Sequence, residues 1–437
     1  MTDQPDALSA PDSYQRFMNG ELERTLAWDD VEATPFEGAP ADVIAGIVPE
    51  VESRAESLFA LSHAIHAHPE LNFEEHFAAA TVADLIREQG YDIEVGTWDL
   101  ATAFRATVGT GAPHVAILAE YDALPDVGHG CGHNIICASA VGAFLGLAPF
   151  VEQLGGRVSL IGTPAEEGGG GKEFIARRGG FDDVDAAIMV HPGKADHTET
   201  RRIAMRQVEV TYHGLSSHAA STPFMARNPL DAVVTAYQSI AQLRQHILPE
   251  ERIHGVITDG GKRPSVIASQ ASAWFFLRSP TIPTVDELTD RVERILKAAA
   301  ETTGTRAELT WDPLPMFMPV RSNRHLASRY RAALSDRGRE VRREGTRQGG
   351  STDLGNISVR LPAIHPTIAI TDRSVGGHSL AMAKASVTPQ ADQAILDAAV
   401  ALARTAADVL ADDELLTAMR DEFEATGGLV DVVSLDR

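Results

Sequence analysis

The 437-residue chain is short of cysteine, of basic residues and of long apolar runs, and each shortage removes a class of protein. Two cysteines, Cys131 and Cys137, are too few for a disulfide scaffold and suit a reducing, cytoplasmic setting. Only 38 Lys and Arg side chains face 61 Asp and Glu, a net charge of −23. Such a surplus repels phosphate backbones and anionic bilayers, so neither nucleic acid nor a membrane is expected as a partner. The longest apolar run, Ala138 to Val151, is too short and too glycine-rich to span a bilayer. The first 50 residues carry eleven acidic and two basic groups, which fits neither a signal peptide nor a transit peptide. They read as an acidic extension outside the core. The length favours two domains, and the composition favours an enzyme.

Helical spacing begins near Val51 with Leu58, Leu61 and Ile65, and resumes over 74–88 until Gly90. Short apolar strands follow at 91–95, 104–108, 115–119, 158–161 and 186–190, with helical stretches among them. This predicts an α/β domain with a mixed, mostly parallel sheet covered by helices. Between about 206 and 315 the order becomes β-α-β-β-α-β, that of a ferredoxin-like unit. Asn228 and Pro229 open its first helix, and Thr284 with Glu287 has the spacing of a capping box for the second. We therefore expect a catalytic domain over 51–205 and 316–437, interrupted by an inserted α+β domain over 206–315. The chain returns to sheet at 363–370, and a long helix follows Thr388 and Pro389.

Polar residues gather after the apolar strands. Glu120 and Asp122, then Cys131, His133 and Asn134, follow the strand at 115–119. Glu166, Glu167 and four glycines follow the strand at 158–161, and His191 follows the strand at 186–190. Ligands of open α/β sheets bind beyond the carboxyl ends of the strands. Thiolate, imidazole and carboxylate together suit zinc or a similar divalent ion. His378 is a further potential ligand. Of two adjacent glutamates on an extended loop, one can bind metal while the other faces a water as general base.

Blander explanations stand beside these: a solvated carboxylate pair, a hydrogen-bonded core histidine, a chance Cys-x-His. Cys131 as a nucleophile is also open, whereas Cys137 falls in a helix and reads as core. Gly171-Lys172 is not a phosphate-binding loop, because Glu173 replaces the required hydroxyl residue. Arg337, Arg339, Arg342, Arg343 and Arg347 read as a solvated basic face.

The stretches His66-Ala-His-Pro-Glu70-Leu-Asn-Phe-Glu-Glu, Asp122-Ala-Leu-Pro, Gly130-Cys-Gly-His133-Asn134, Pro164-Ala-Glu-Glu167-Gly and His191-Pro-Gly occur in the order of a known group. They resemble the dinuclear amidohydrolases that include aminoacylases, indole-acetyl-amino-acid hydrolases and aminobenzoyl-glutamate hydrolases. Gly350-Ser-Thr-Asp353-Leu-Gly-Asn356, Ile364-His-Pro366 and Ile257-Thr-Asp-Gly-Gly261 are similar to the branch of cytosolic dipeptidases that cleave β-alanyl-lysine and related basic dipeptides.

The resemblance implies a metal-dependent hydrolase of dipeptides or N-acyl amino acids. Cys131, His133, Glu167, His191 and His378 match the ligands of two divalent ions, and Glu166 matches the general base. Asp122 matches the carboxylate that orients a ligand imidazole. A sulfur ligand points to zinc ahead of manganese, with cobalt or nickel compatible. The inserted domain is expected to form a homodimer and to lend His218 to the partner's active site as an oxyanion donor. Asn228, Ser265 and Arg278 lie in motifs that contact substrate, although Ser265 stands where relatives commonly have Asn. An aminobenzoyl-glutamate or N-acyl-amino-acid amidohydrolase is the alternative enzyme. A non-catalytic binding homologue is the alternative outside enzymes.

Overall fold

A computed structural model describes residues 35–199, 201–342, 350–371 and 375–437. Five strands come first: β1 (Ile93–Val95), β2 (Phe104–Gly109), β3 (His114–Ala119), β4 (Arg157–Gly162) and β5 (Ala186–Ile188). A short β6 (His191–Gly193) precedes the inserted domain. That domain supplies β7 (Ala204–His213), β8 (Ser217–His218), β9 (Arg252–Asp259), β10 (Val266–Ile267), β11 (Gln270–Ser279) and β12 (Arg306–Trp311). β13 (Ala363–Ile364) and β14 (Thr367–Ala369) follow it.

The six-stranded sheet has the order β1-β2-β4-β3-β5-β13. β4, β3, β5 and β13 are parallel neighbours, while β2 and β1 join antiparallel at one edge. Every residue of β3 is buried, as an apolar strand covered on both faces must be. The helices His133–Leu147 and Pro389–Ala411 lie together in the largest core cluster. Gly142 makes their close approach possible, since a Cβ there would lie 2.8 Å from Leu58 Cδ1 and 2.9 Å from Ala399 Cβ. The stretch His133–Leu154 is apolar and long enough to cross a membrane by composition, yet it lies mostly buried within this core.

The inserted domain folds as expected. Its sheet order β12-β7-β11-β9 is antiparallel throughout, with helices Pro229–Leu243 and Ile282–Thr303 packed on its core. The chain enters and leaves it at one place, where Met205 and Phe317 exchange backbone hydrogen bonds of 2.9 Å.

Four expectations need correction. Residues 41–50 do not lie outside the core: the helix Ala41–Glu52 buries Val43, Ile47 and Val51 completely. Its acidic outer face hid a clear i, i+4, i+8 apolar stripe. The Gly38 and Ala39 N–H groups donate to Asp412 and Asp408, fixing the chain that enters this helix. The capping box sits three residues earlier than the Thr284–Glu287 spacing suggested, because Thr281 and Thr284 supply hydroxyls to each other's backbone N–H. The strand expected at 363–370 divides at His365-Pro366, where Pro366 has no N–H for a ladder, and β14 pairs with β6 instead. Arg337 and Arg339 are not a solvated face, since both guanidinium groups bind Asp397 and reach on to Glu52 and Asp196. Arg343 and Arg347 lie outside the described residues.

Ile47→Ala tests whether the first described helix is core. It should lower the unfolding free energy by about 2–5 kcal/mol in denaturant titration, the cost of truncating a fully buried isoleucine.

Candidate dinuclear metal centre

The carboxyl ends of the parallel strands β3, β4 and β5 share one rim, and each delivers a polar segment there. Beyond β3 lie Glu120 and Asp122, beyond β4 Glu166 and Glu167, and beyond β5 His191. His133 opens the buried helix that follows β3, directly after Cys131 and Gly132.

The donor atoms of Cys131, His133 and His191 lie within 4.8 Å of one another. So do those of Cys131, Glu167 and His378. Cys131 belongs to both sets, so its sulfur is the common corner of two adjacent three-donor pockets. All five expected ligands are thus brought together. Glu120, His133 and Glu166 form a third such set.

Hydrogen bonds fix which histidine nitrogens face the pockets. His133 donates Nδ1–H to Asp122 Oδ1 at 2.8 Å, leaving Nε2 buried without a hydrogen-bond partner. His191 donates Nδ1–H to the Pro192 carbonyl at 2.8 Å, which leaves its Nε2 lone pair available. Asp122 Oδ2 also accepts the Glu167 backbone N–H at 2.8 Å. Glu167 Oε1 is another buried atom without a partner. His378 is 62% exposed, and its Nε2 lies 3.8 Å from Glu167 Oε2.

Electrostatics favour cations here. Glu120 and Asp122 are buried, and Glu166 is only 7% exposed. Burial, then the charges of Glu120 and Glu167, raise the Glu166 carboxyl well above its ordinary value. Burial opposes a charged His133, but Asp122 outweighs it and raises the imidazole well above its usual range. Burial, with His133 and Arg202 nearby, lowers His191 to about 3, so that ring is neutral and able to ligate. Burial also raises the Cys131 thiol, a proton that a bound divalent ion would replace. Orphaned imidazole and carboxylate atoms, a shared sulfur and surplus negative charge are a donor set suited to two divalent ions.

Part of this constellation was not anticipated. Lys172, fully buried, donates from Nζ to Glu120 Oε1 at 2.5 Å and to Asp353 Oδ1 at 2.6 Å. Burial disfavours its ammonium, but Asp353 and Glu120 outweigh that and keep it charged. The available signal was a lysine behind four glycines, which sequence reasoning used only to dismiss a phosphate loop.

The inserted domain contributes Arg278, whose Nη1 donates to Ser351 Oγ at 3.0 Å and whose charge is felt by Glu166 and Glu167. Ser265 and His218 are neighbours on this domain, because Val266 pairs with His218 and the Ala219 N–H donates to the Ser265 carbonyl. His218 is exposed, and its Nδ1 accepts the N–H groups of Ala220 and Ser221 at 3.1 and 3.2 Å. Its Nε2 therefore carries the proton and points outward as a donor. Asn228 caps the helix Pro229–Leu243 through Leu230 N–H and donates to Asp231. Among the described residues, neither His218 nor Asn228 shares a hydrogen bond with the Cys131 cluster.

The family model described as Peptidase family M20/M25/M40 matches residues 116–408, about two thirds of the chain. The chain belongs to this family. Its relatives include an Xaa-Arg dipeptidase of Mus musculus, 36% identical over 86% of this chain and 90% of the relative. One subunit of the p-aminobenzoyl-glutamate hydrolase of Escherichia coli is 34% identical over 65% of this chain and 63% of its own. Among solved structures, a dinuclear metal-binding M20 peptidase of Bacillus subtilis aligns with TM-score 0.63 and 21% identity, over 82% of this chain and 99% of that one. An aminobenzoyl-glutamate utilization protein of Klebsiella pneumoniae aligns with TM-score 0.64 and 21% identity, over 82% and 96%. The M20 fold, a catalytic α/β domain with an inserted lid, agrees with the architecture expected. This M20 protein is a metal-dependent hydrolase acting on C–N bonds, as the resemblance implied.

Asp122→Asn should weaken metal binding about 10–100-fold in chelator competition while the protein stays folded, because the amide no longer fixes the His133 tautomer.

Proposed function

We propose that this chain is a dinuclear dipeptidase whose substrates carry a basic residue, with Glu166 as general base. The observation that carries it is the adjacency of Glu166 to two donor sets joined at Cys131. Similarity over most of both chains to an Xaa-Arg dipeptidase supports the substrate class. A net charge of −23 agrees with a cationic substrate drawn in by the field of the protein. The thiolate of Cys131 favours zinc over manganese, and the low cysteine count favours the cytoplasm.

Cys131, His133 and His191 would hold one ion, and Cys131, Glu167 and His378 the other. Bound there, the ions supply Lewis-acid polarisation of the amide carbonyl and a lowered pKa for an attacking water. Glu166 accepts a proton from an attacking water and returns it to the leaving amine. Arg278 offers a guanidinium fork for the substrate carboxylate. Asp122 and Asn228 act through structure, by orienting His133 and by starting the helix that carries the lid.

His218 reaches the oxyanion from a second subunit in this reading, donating Nε2–H. Exposed Leu215, Phe224, Met225 and Val266 around it, with Val256 and Ile257 on the edge strand β9, support a homodimer formed through the lid. Ser265, beside His218, is the lid position nearest to a substrate role. Similarity to the aminobenzoyl-glutamate hydrolase supports the alternative, an amidohydrolase of N-acyl amino acids.

Glu166→Gln should retain both ions and lose about 10²-fold or more in kcat, and an active variant would overturn the assignment. Assayed on Xaa-Arg and Xaa-Lys dipeptides, p-aminobenzoyl-glutamate and N-acetyl amino acids, the wild type should prefer the basic dipeptides. Mixing Glu166→Gln with His218→Ala subunits should restore about a quarter of wild-type activity, since half the dimers then hold one complete site. No recovery would place His218 within its own subunit or outside catalysis.

A further inference from the structure

The segment Pro69–Glu75 was part of the motif that carried the family resemblance, yet none of it belongs to the metal centre. Glu75 is fully buried and far from idle. Its Oε1 accepts two backbone N–H groups at 2.9 Å, from Phe73 and from Ala165. Its Oε2 accepts the hydroxyl of buried Thr102 at 2.7 Å.

Both of those N–H groups belong to residues in the left-handed region, Phe73 at φ 64° and Ala165 at φ 60°. That conformation is unfavourable for residues with a side chain and persists only where the surroundings enforce it. Ala165 immediately precedes Glu166 and Glu167. Its carbonyl is held as well, by the Gly170 N–H at 2.8 Å. Gly169 closes the turn so tightly that a Cβ there would lie 2.5 Å from Ala165 Cβ.

The same segment grips the loop again. Asn72 Nδ2 donates to the Glu167 carbonyl at 3.1 Å. Glu70 ties it to Asp122, since the Glu70 carbonyl accepts the Ala123 N–H at 2.8 Å. The Glu70 carboxylate in turn caps the helix His76–Glu88 through the Phe77 and Ala78 N–H groups. One rigid helix start is thereby connected to both carboxylate-bearing loops.

We propose that Glu75 is a positioning residue: it clamps Ala165 in its left-handed conformation and so aims Glu166 at the reacting water. The proposal rests on Glu166 being the base. Burial, with the charge of Asp122 nearby, raises the Glu75 carboxyl to about 7. Glutamine keeps the oxygen that accepts the Phe73 and Ala165 N–H groups and changes only the atom facing the Thr102 hydroxyl, which can turn to accept instead.

The test compares Glu75→Ala with Glu75→Gln in metal-loaded enzyme, reading kcat, KM, metal content and melting temperature. Removing the clamp should lower kcat about 10²-fold, the scale of a misplacement near 1 Å, with KM within about twofold and both ions retained. Glu75→Gln should keep kcat within about fivefold of wild type. A folded Glu75→Ala enzyme with wild-type kcat overturns the proposal, as does loss of metal that accounts for the loss of rate, or a glutamine variant as slow as alanine. If Glu75→Ala does not fold, Thr102→Val replaces it. Freeing Glu75 Oε2 should lower kcat about fivefold at constant KM, and an unchanged kcat overturns the clamp. Glu166→Gln run alongside separates the two ideas. If it is active, the base assignment fails. If it is inactive while Glu75→Ala is fast, only the clamp fails.

Discussion

Asp122 has two carboxylate oxygens and spends them on two different segments. One fixes the His133 ring at the start of a buried helix, and the other holds the Glu167 peptide in the loop after β4. Burial opposes its ionisation, but His133 and the Glu167 N–H outweigh that and keep the carboxyl below its ordinary value. A charge that stays ionised while removed from water needs its partners permanently in place. The relative position of imidazole and carboxylate donors is therefore set by the protein before any ion arrives.

The same logic extends outward through the interior. Glu120, which follows β3 two residues before Asp122, is answered by Lys172, and Lys172 by Asp353. Asp353 Oδ2 also accepts the Lys172 N–H, at the start of the helix Gly171–Arg177. Glycine makes this crowding possible: a Cβ on Gly171 would lie 1.9 Å from the Pro164 carbonyl oxygen. The rim of the sheet is thus a packed ionic lattice in which β3, the loop after β4 and the segment after the lid are mutually fixed.

Much of this was legible in the sequence, for reasons that can be named. Apolar strands ending in Asp, Glu, Cys or His announced both the sheet and its functional edge, because ordinary burial does not put such residues at the ends of covered strands. The lid was legible from alternating strands and from Asn228-Pro229, whose capping geometry the structure reproduces. Long-range pairing was not legible. Lys172 and Asp353 are 181 residues apart, and nothing local distinguishes their meeting. Glu75 stood in a motif of the resemblance with no role attached to it, since its value lies in accepting N–H groups from a loop 90 residues away. The helix Ala41–Glu52 was missed because net charge was weighed where a three-residue apolar stripe should have been.

The doorway between the domains has a consequence for how the chain assembles. More than a hundred residues separate Met205 from Phe317, yet their backbones are bonded to each other. The sheet's last parallel strand, β13, lies beyond that interval and must find β5 on the near side of it. Closing so long a flexible loop would carry a substantial entropic penalty, whereas a lid already folded on its own core presents both ends side by side. An inserted domain that folds first on its own core would shorten the search by which the interrupted sheet is completed.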